Sequence, residues 1–321
     1  MKQILVTLPV IIFSLFSLNA CDSDKELNND NQEGQIIRFQ VEASGFEVST
    51  TSSDTRLDVE GCKFEDGDEI GLFAVKRKRS DNATYNDLKS AEEKNFIHNA
   101  KLTYDSFRNE WAFDTPVSYP IGADTIVYDF YAYYPYQEDL DPTAMNINGV
   151  LDNQEGRSTL GKSDFMTAYE RGHTERGGTV KLKFNHHFSL VKFDVLSAGS
   201  SSPFANVAFN TSVYSVEKFE LILVALGREE GRKELVYTKE RKNILIGMHK
   251  LDDNKAAYQY QAIVIPQTVT GDAPLFYYSL SGNKGDNGLF SISSKNLITI
   301  DDNDGKFEKE KSYKFSYNYK P

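Results

Sequence analysis

The stretch VKLKFNHHFSLVKFDV, residues 180–195, decides the fold class. Its first five residues alternate between apolar and charged and so form two faces: Val180, Leu182 and Phe184 on one, Lys181 and Lys183 on the other. Successive side chains of a β-strand point to opposite faces, so this period of two predicts a half-buried antiparallel strand. The apolar run Ser189–Val195 predicts another strand directly after it.

Similar stretches occur along most of the chain. They are rich in β-branched and aromatic residues and are separated by polar turn clusters. The main ones are Ile36–Val41, Glu69–Val75, Ile126–Tyr136, Lys218–Leu226, Tyr258–Pro266, Leu275–Ser281 and Ser312–Tyr319. Only Tyr85–Asn95 has a pattern that a helix would fit. Many short strands without regular strand–helix alternation predict an all-β protein built from sandwiches or barrels.

The length and one break in the pattern predict two folded domains. A chain of 321 residues is long enough for two, and the serine-rich stretch Ser197–Pro203 is the best boundary. We therefore expect one β-sandwich over residues 36–197 and a second over residues 198–321.

The first residues predict an exported lipoprotein. Met1 and Lys2 are followed by a short apolar run, Ile4–Leu18, which has the size of a secretory signal and is short for a membrane-spanning helix. The run ends in SLNAC, which resembles a bacterial lipobox, so residues 1–20 are predicted to be removed and Cys21 to carry lipid. Residues 21–35 are polar and predict a flexible tether. The alternative is a plain signal peptide with an incidental cysteine.

Charge and cysteine content exclude several classes of protein. The net charge of −11 makes nucleic acid an improbable partner. Cys21 and Cys62 are the only cysteines, so a lipidated Cys21 leaves no disulfide framework and no cysteine-based metal site, and Cys62 is predicted to be a small buried residue. The one basic cluster, Lys76–Arg79, is predicted to be a solvated turn.

No catalytic or metal-binding pattern stands out. The chain has no G-x-S-x-G, H-E-x-x-H, phosphate-loop or G-x-G-x-x-G motif. His186 and His187 are neighbours on a predicted strand and would point to opposite faces, which favours a structural role over metal binding. We therefore expect no catalytic residue, no metal, no cofactor and no enzymatic activity.

The aromatic stretch Ile126–Tyr136 could form a platform for sugars. Its aromatic side chains would lie on both faces of a strand, however: Tyr128, Phe130 and Tyr134 on one, Tyr131 and Tyr133 on the other. This distribution favours a central strand covered on both sides.

Several stretches in order resemble the fimbrillin (Mfa-like) family of Bacteroides-type bacteria, which includes subunits of type V pili. The stretches are FEDGDEIGLFAV, NFIHNAKLTYDSFRNEW, VYDFYAYYPY, KSDFMTAY, VKLKFNHHFSLVKFDV and AIVIPQTV. The resemblance covers most of the chain from Ile36 onward. It implies two transthyretin-like β-sandwich domains in tandem and export as a lipoprotein, and the acidic residues after Cys21 resemble a signal for the outer face of the outer membrane.

The resemblance also implies a mode of assembly. In polymerising members an arginine-specific protease cuts after the first strand, and a strand of the next subunit fills the groove that is uncovered. Arg56, in the polar stretch STTSSDTRLDVEG (Ser49–Gly61), is the matching residue here. Arg38 lies within the predicted first strand and is a poorer target. The alternative is an ordinary loop arginine in a member that is never cut.

The sequence thus predicts a surface lipoprotein of the outer membrane that acts as a fimbrial subunit or accessory adhesin. Its expected partners are other fimbrial subunits, bound by strand exchange, and a host protein or glycan. The last strand, Ser312–Tyr319, is either the donated strand or one paired permanently within its own chain. The alternative function is a non-polymerising surface lipoprotein that binds a glycan or host ligand.

Overall fold

β-Strands dominate the computed structural model of the chain. It describes residues 34–48, 63–80, 88–121, 125–143, 145–174, 178–196, 204–211, 215–221, 236–241, 244–251, 258–268, 274–280, 289–293, 298–299 and 306–320. The strands have these bounds: β1 Arg38–Ala43, β2 Glu47–Val48, β3 Glu69–Lys78, β4 Ile97–Asp105, β5 Glu110–Phe113, β6 Ile126–Tyr134, β7 Met145–Asn148, β8 Met166–His173, β9 Thr179–His186, β10 Ser189–Leu196, β11 Phe204–Thr211, β12 Ser215–Leu221, β13 Val236–Arg241, β14 Ile244–Gly247, β15 His249–Lys250, β16 Tyr258–Val264, β17 Gln267–Thr268, β18 Pro274–Leu280, β19 Phe290–Ser293, β20 Ile298–Thr299, β21 Lys306–Phe307 and β22 Lys311–Asn318.

Helical structure is limited to two short pieces of the described chain. One is a 3-10 helix, Glu92–Lys94, which is all that the structure has of the helix predicted over Tyr85–Asn95, whose first three residues lie outside the described part. The other is α1, Arg157–Lys162, which the sequence pattern did not indicate. The predicted all-β class is confirmed.

The first half of the chain builds a seven-stranded sheet in the order β1-β9-β8-β6-β3-β4-β5. β1 pairs with β9 in parallel, and the remaining pairings in this sheet are antiparallel. The sheet curves so that its two end strands come into contact. The ring of Phe39 in β1 packs edge-on against Phe113 in β5, with 5.5 Å between the ring centroids.

One face of this sheet encloses an apolar cluster that we call the first core. Its buried members include Leu72, Phe130, Ala168, Leu182 and Phe184. The alternation predicted for β9 is confirmed, since its apolar side chains are buried here and its lysines are exposed. Burial of one face of each strand is what fixes the register of the pairing.

The opposite face of the same sheet contributes to the second core, which fills the rest of the structure. Tyr131 and Tyr133 of β6 lie in it, together with residues from the second half of the chain such as Phe193, Phe276 and Phe315. β6 is therefore covered on both faces, as the distribution of its aromatic residues predicted.

The second half of the chain supplies most strands of the remaining sheets, and the first half adds β2 and β7. A sheet of order β15-β16-β10-β22-β2, with β20 also paired to β22, is accompanied by β14-β11-β18-β19, β13-β12-β7 and β17-β21. Residues from Gly34 onward group into one unit by their contacts. Residues 197–203 lie outside the described part, so the boundary between residues 197 and 198 and the tandem transthyretin-like arrangement stay predictions.

Candidate functional site

The candidate site is the stretch Gly34–Val48, which we call the N-terminal segment, together with the surfaces it covers. Its strand β1 lies at one end of the seven-stranded sheet, and its strand β2 lies at one end of the sheet built on β10 and β22. The segment therefore runs along the edges of two sheets, and the described chain resumes after it at Lys63.

β1 pairs with β9 through six residues in parallel register, from Arg38 opposite Thr179 to Ala43 opposite Phe184. Its side chains alternate: Arg38, Gln40 and Glu42 are exposed, whereas Phe39 is buried and Val41 and Ala43 are half-buried. Parallel strands cannot be joined by a tight hairpin, so β1 is held by its pairing and its apolar side chains.

The apolar side chains of the segment reach into the first core. Ile37 and Phe39 are buried, and the Phe39 ring packs edge-on against Phe130 at 5.7 Å as well as against Phe113. Burying a side chain of this size contributes about 1.5–3 kcal/mol. The segment is thus a stabilising part of the fold.

The start of the segment is held by the stretch that precedes β6. Ile37 donates its backbone N–H to the Val117 carbonyl at 2.9 Å, and Tyr119 donates to the Gln35 carbonyl at 2.9 Å. Gly34 is required by this contact, because a Cβ at that position would lie 2.3 Å from the Tyr119 carbonyl oxygen. The segment therefore has main-chain partners on both sides.

A cluster of four residues, which we call the His186 clasp, holds the chain where it leaves β1. His186 is fully buried, with Nε2 2.7 Å from the Ser44 carbonyl oxygen and Nδ1 2.8 Å from Asp164 Oδ1. The Phe46 ring stacks on the imidazole with 3.7 Å between centroids. A carbonyl oxygen only accepts, so Nε2 donates to Ser44, and Nδ1 faces the Asp164 carboxyl group.

β2 continues the segment along the edge of the sheet that contains β10 and β22. Glu47 lies opposite Lys311 and Val48 opposite Ser312, in parallel with β22, and the Glu47 N–H donates to the Glu310 carbonyl at 2.7 Å. The adjacent turn is tied by Glu308, whose carboxylate contacts Lys306 and Lys311. These two lysines lower the pKa of Glu308 to about 2.

The last strand, β22, is paired within its own chain in this structure. It runs parallel to β10 over Leu190–Leu196, and Tyr313 and Phe315 are buried in the second core. The sequence left open whether this strand is donated or paired permanently, and the structure has it paired.

The two residues that the sequence selected for processing lie outside the described part of the chain. Cys21, for lipid attachment, and Arg56, for proteolysis, stay predictions, as does the burial of Cys62. Arg38 lies within β1, as predicted, with an exposed side chain.

The two neighbouring histidines have the structural role predicted for at least one of them. His186 belongs to the clasp, and His187 Nε2 lies 2.7 Å from the Thr167 hydroxyl. Nothing local in the sequence pointed to Asp164 or Phe46 as partners, because they lie far from His186 along the chain.

The basic cluster was predicted wrongly. Lys76, Arg77 and Lys78 extend β3 instead of forming a turn. Arg77 is largely buried and pairs with the buried carboxylate of Asp129, with Nε–Oδ2 at 2.9 Å and Nη2–Oδ1 at 3.2 Å. Asp129 also accepts the Gly172 N–H at 2.6 Å, so the arginine balances a charge inside the sheet.

One exposed feature was not found from the sequence. The β4–β5 hairpin ends in a tight turn that carries Phe107, which is 96% exposed. The turn is rigidly held, since Ser106 donates its N–H to Asp66 Oδ1 at 2.9 Å and Tyr104 donates its hydroxyl to Asn109 Oδ1 at 2.9 Å. The Phe107 ring is thus exposed to solvent on a turn that hydrogen bonds hold in place.

The described residues contain no group of three or more His, Cys, Asp or Glu arranged to hold a metal ion. In the same part of the chain, no helix has the length and apolar character needed to cross a membrane.

The fold defines an all-β protein in which the N-terminal segment lies along the edges of two sheets, β1 in one and β2 in the other. Residues 51–321 match the family described as fimbrillin-like, which is most of the chain. The protein belongs to the fimbrillin-like family.

The chain is also similar to individual proteins of Bacteroides. It is 28% identical over 209 residues to a candidate fimbrium tip subunit, Fim1C, of Bacteroides ovatus. The match covers 60% of this chain and 35% of that protein, so the chain spans about a third of the length of this relative.

Two crystal structures of candidate cell adhesion proteins share the fold. The one from Bacteroides uniformis has a TM-score of 0.54 at 16% identity, covering 90% of this chain and 93% of its own. The one from Bacteroides ovatus has a TM-score of 0.52 at 13% identity, covering 89% and 93%.

Proposed function

We propose that the protein is a cell-surface fimbrial subunit or accessory adhesin, anchored in the outer membrane through lipid on Cys21. Membership of the fimbrillin-like family supports this role, and so does the likeness to a candidate fimbrium tip subunit. The lipobox-like SLNAC supports the anchor. The role needs no enzymatic activity and no cofactor.

We further propose that the protein assembles by strand exchange. A protease cuts after Arg56, the N-terminal segment leaves, and a strand of another subunit takes its place. The observation that carries this proposal is the position of β1: an N-terminal strand, paired in parallel at the end of a sheet, whose buried side chains are those a new strand would replace.

Loss of the segment would uncover a surface suited to a new strand. The pockets of Ile37, Phe39 and Phe46 would open, and the backbone of β9 would lose its partner on one side while keeping β8 on the other. Unpaired strand edges and exposed apolar surface both favour pairing with another chain. Binding of a donated strand would restore the hydrogen bonds and the buried area together.

A brief digestion with an arginine-specific protease tests assembly. The purified chain starting at Asp22 should give a fragment that begins at Leu57 and should form high-mass ladders on a gel without boiling. Arg56→Gln should block both results, whereas the control Arg38→Gln should leave both intact. A clean cut at Arg56 that leaves a stable monomer would refute strand exchange.

A second function is favoured by one observation. The exposed Phe107 on its rigid hairpin is suited to an adhesive contact, because aromatic side chains are enriched among residues that dominate protein interfaces. In this alternative the protein is a non-polymerising lipoprotein that binds a glycan or host ligand. Phe107→Ser would then abolish binding to host cells or glycan arrays without changing thermal unfolding, because the side chain is exposed.

A further inference from the structure

Two lysines mark the surface that β1 covers. Lys181 and Lys183 lie on the exposed face of β9, directly opposite Gln40 and Glu42 of β1 in the parallel register. Glu42 is therefore the residue opposite Lys183 in the register, and its carboxylate accepts a hydrogen bond from Gln40 Nε2 at 2.8 Å. The uncharged Gln40 is the residue opposite Lys181. Removal of the segment would leave both lysines along an open strand edge.

We propose that the strand replacing the N-terminal segment comes from a different protein and carries an acidic side chain opposite Lys183. This inference rests on the strand exchange proposed above. It adds the chemistry of the partner: a strand parallel to β9 with an acidic residue at the register position opposite Lys183, which Glu42 occupies in the resident strand.

The positions of β1 that face the core also restrict the size of the side chains that a replacing strand can carry. The position of Phe39 takes a large apolar side chain, because Phe39 fills a pocket lined by Phe113 and Phe130. Ala43 is half-buried between the two cores, so a large side chain there would press against the residues of both. A strand that fits would therefore have five consecutive residues, at the positions of Phe39 to Ala43, that are large and apolar, polar, apolar, acidic and small, in that order.

The last strand of this chain fits that pattern poorly. With Tyr313 in the place of Phe39, Lys314 lies opposite Lys181, Ser316 lies opposite Lys183 and Tyr317 takes the place of Ala43. A shift by two residues puts Asn318 opposite Lys183 and Tyr319 at the small position. Both registers lack the acid and place an aromatic ring where alanine fits, which disfavours a second copy of this chain as donor.

The expected size of the charge effect follows from cross-strand pairs in general. Opposite charges directly across two strands stabilise the pairing modestly and like charges weaken it, so reversing one charge should change affinity about three- to tenfold. Exposed charges are screened by salt, and the difference should largely vanish at about 1 M salt. Loss of a buried contact would not respond to salt in this way.

Peptide competition on the cut protein tests the proposal. The chain is cut after Arg56, or at an inserted site for a sequence-specific protease at the same place, and a fluorescent peptide of residues 34–48 is allowed to exchange in. Unlabelled competitors are the same peptide, its Glu42→Lys variant and a peptide of residues 311–318. The unchanged peptide should compete best, and the Glu42→Lys peptide about three- to tenfold less well at low salt.

A charge reversal in the protein provides the matched control. In Lys183→Glu protein, the Glu42→Lys peptide should compete better than the unchanged one, and the preference should shrink in high salt. The same pair of substitutions in the uncut chain gives an independent measurement: each alone should speed hydrogen exchange of the β1 amides, and the two together should restore the original rate.

The outcomes separate this inference from the proposed function. If no peptide exchanges into the cut protein, strand exchange fails and the inference fails with it. If the peptides exchange but compete equally at low salt, strand exchange stands and the acidic requirement is refuted. If the 311–318 peptide competes as well as residues 34–48, the donor is a second copy and the inference is refuted.

Discussion

The imidazole of His186 donates from Nε2 to the Ser44 carbonyl oxygen at 2.7 Å, and this bond joins the N-terminal segment to the interior of the fold. The ring is held in place from its other nitrogen by Asp164 at 2.8 Å. The segment can therefore leave only by opening a buried hydrogen-bond network. A strand held in this way stays docked until something outside the chain releases it.

Replacing His186 with glutamine should loosen the segment. Glutamine cannot bridge Ser44 and Asp164 as the ring does and loses the stacking with Phe46, so we expect a loss of about 1–3 kcal/mol in the free energy of unfolding. Urea unfolding measures the loss. Hydrogen exchange of the Ser44 and Glu47 amides, which donate to Phe184 and Glu310, should become faster.

The control for this change is His187→Gln, at the half-buried neighbour that lies just after β9 and contacts Thr167 instead. It should leave exchange at Ser44 and Glu47 unchanged. Equal effects of the two substitutions on these amides would show that the contacts of His186 with Ser44 and Phe46 do not stabilise the docked segment.

Truncating Phe39 should cost the segment its main apolar contact. Phe39→Ala leaves a cavity between Phe113 and Phe130, and we expect a loss of about 3 kcal/mol in the free energy of unfolding. The exposed neighbour provides the control, since Gln40→Ala should change stability by no more than about 0.5 kcal/mol. Chemical denaturation of both variants checks the difference, and similar values for the two would contradict the docking described for β1.

Removing the Arg77 side chain should destabilise the seven-stranded sheet. Arg77→Leu leaves the Asp129 carboxylate buried without its cation, which typically costs about 3–5 kcal/mol. Adding Asp129→Asn should recover part of this loss because no buried charge then remains unbalanced. Lys78→Gln, an exposed change on the same strand, should be nearly neutral in thermal unfolding. A neutral Arg77→Leu would show that the pair is not needed.

Glu308 should make the fold sensitive to acid. Its pKa is lowered from 4.5 to about 2 by Lys306 and Lys311, so its stabilising contribution is present above pH 4.5 and is lost as the pH falls through about 2. Exposed ion pairs are worth at most about 1 kcal/mol. The difference in unfolding free energy between the protein and Glu308→Gln should shrink from pH 6 to pH 2, and a constant difference would contradict this.

The strands of the first core could be predicted from the sequence because their signal is local. Val180, Leu182 and Phe184 alternate with lysines, and a half-buried strand needs nothing more than that pattern. The two covered faces of β6 could be predicted for the same reason, since Tyr131 and Tyr133 point away from Phe130. Alternation identifies a strand and its faces wherever the buried side is apolar.

The choice of partner strands could not be predicted in this way. β9 and β10 follow each other closely in sequence and yet lie in different sheets, and each has a parallel partner far along the chain. The His186 clasp and the Arg77–Asp129 pair could not be predicted for the same reason. The residues next to a side chain in sequence do not indicate which distant residue it will contact. Arg77 looked solvated because three other basic residues surround it in sequence.

The long sequence separation between β1 and β9 sets the order in which the chain can complete its fold. The Ser44–Asn185 hydrogen bond beside this pairing joins residues 141 positions apart. The first strand leaves the ribosome well before the strand with which it pairs. Because such distant pairings close late, β1 spends this interval without its partner and docks as one of the final events. Pulse-labelled hydrogen exchange during refolding should find the β1 amides protected after those of β3 and β6, and earlier protection of β1 would refute this sequence of events.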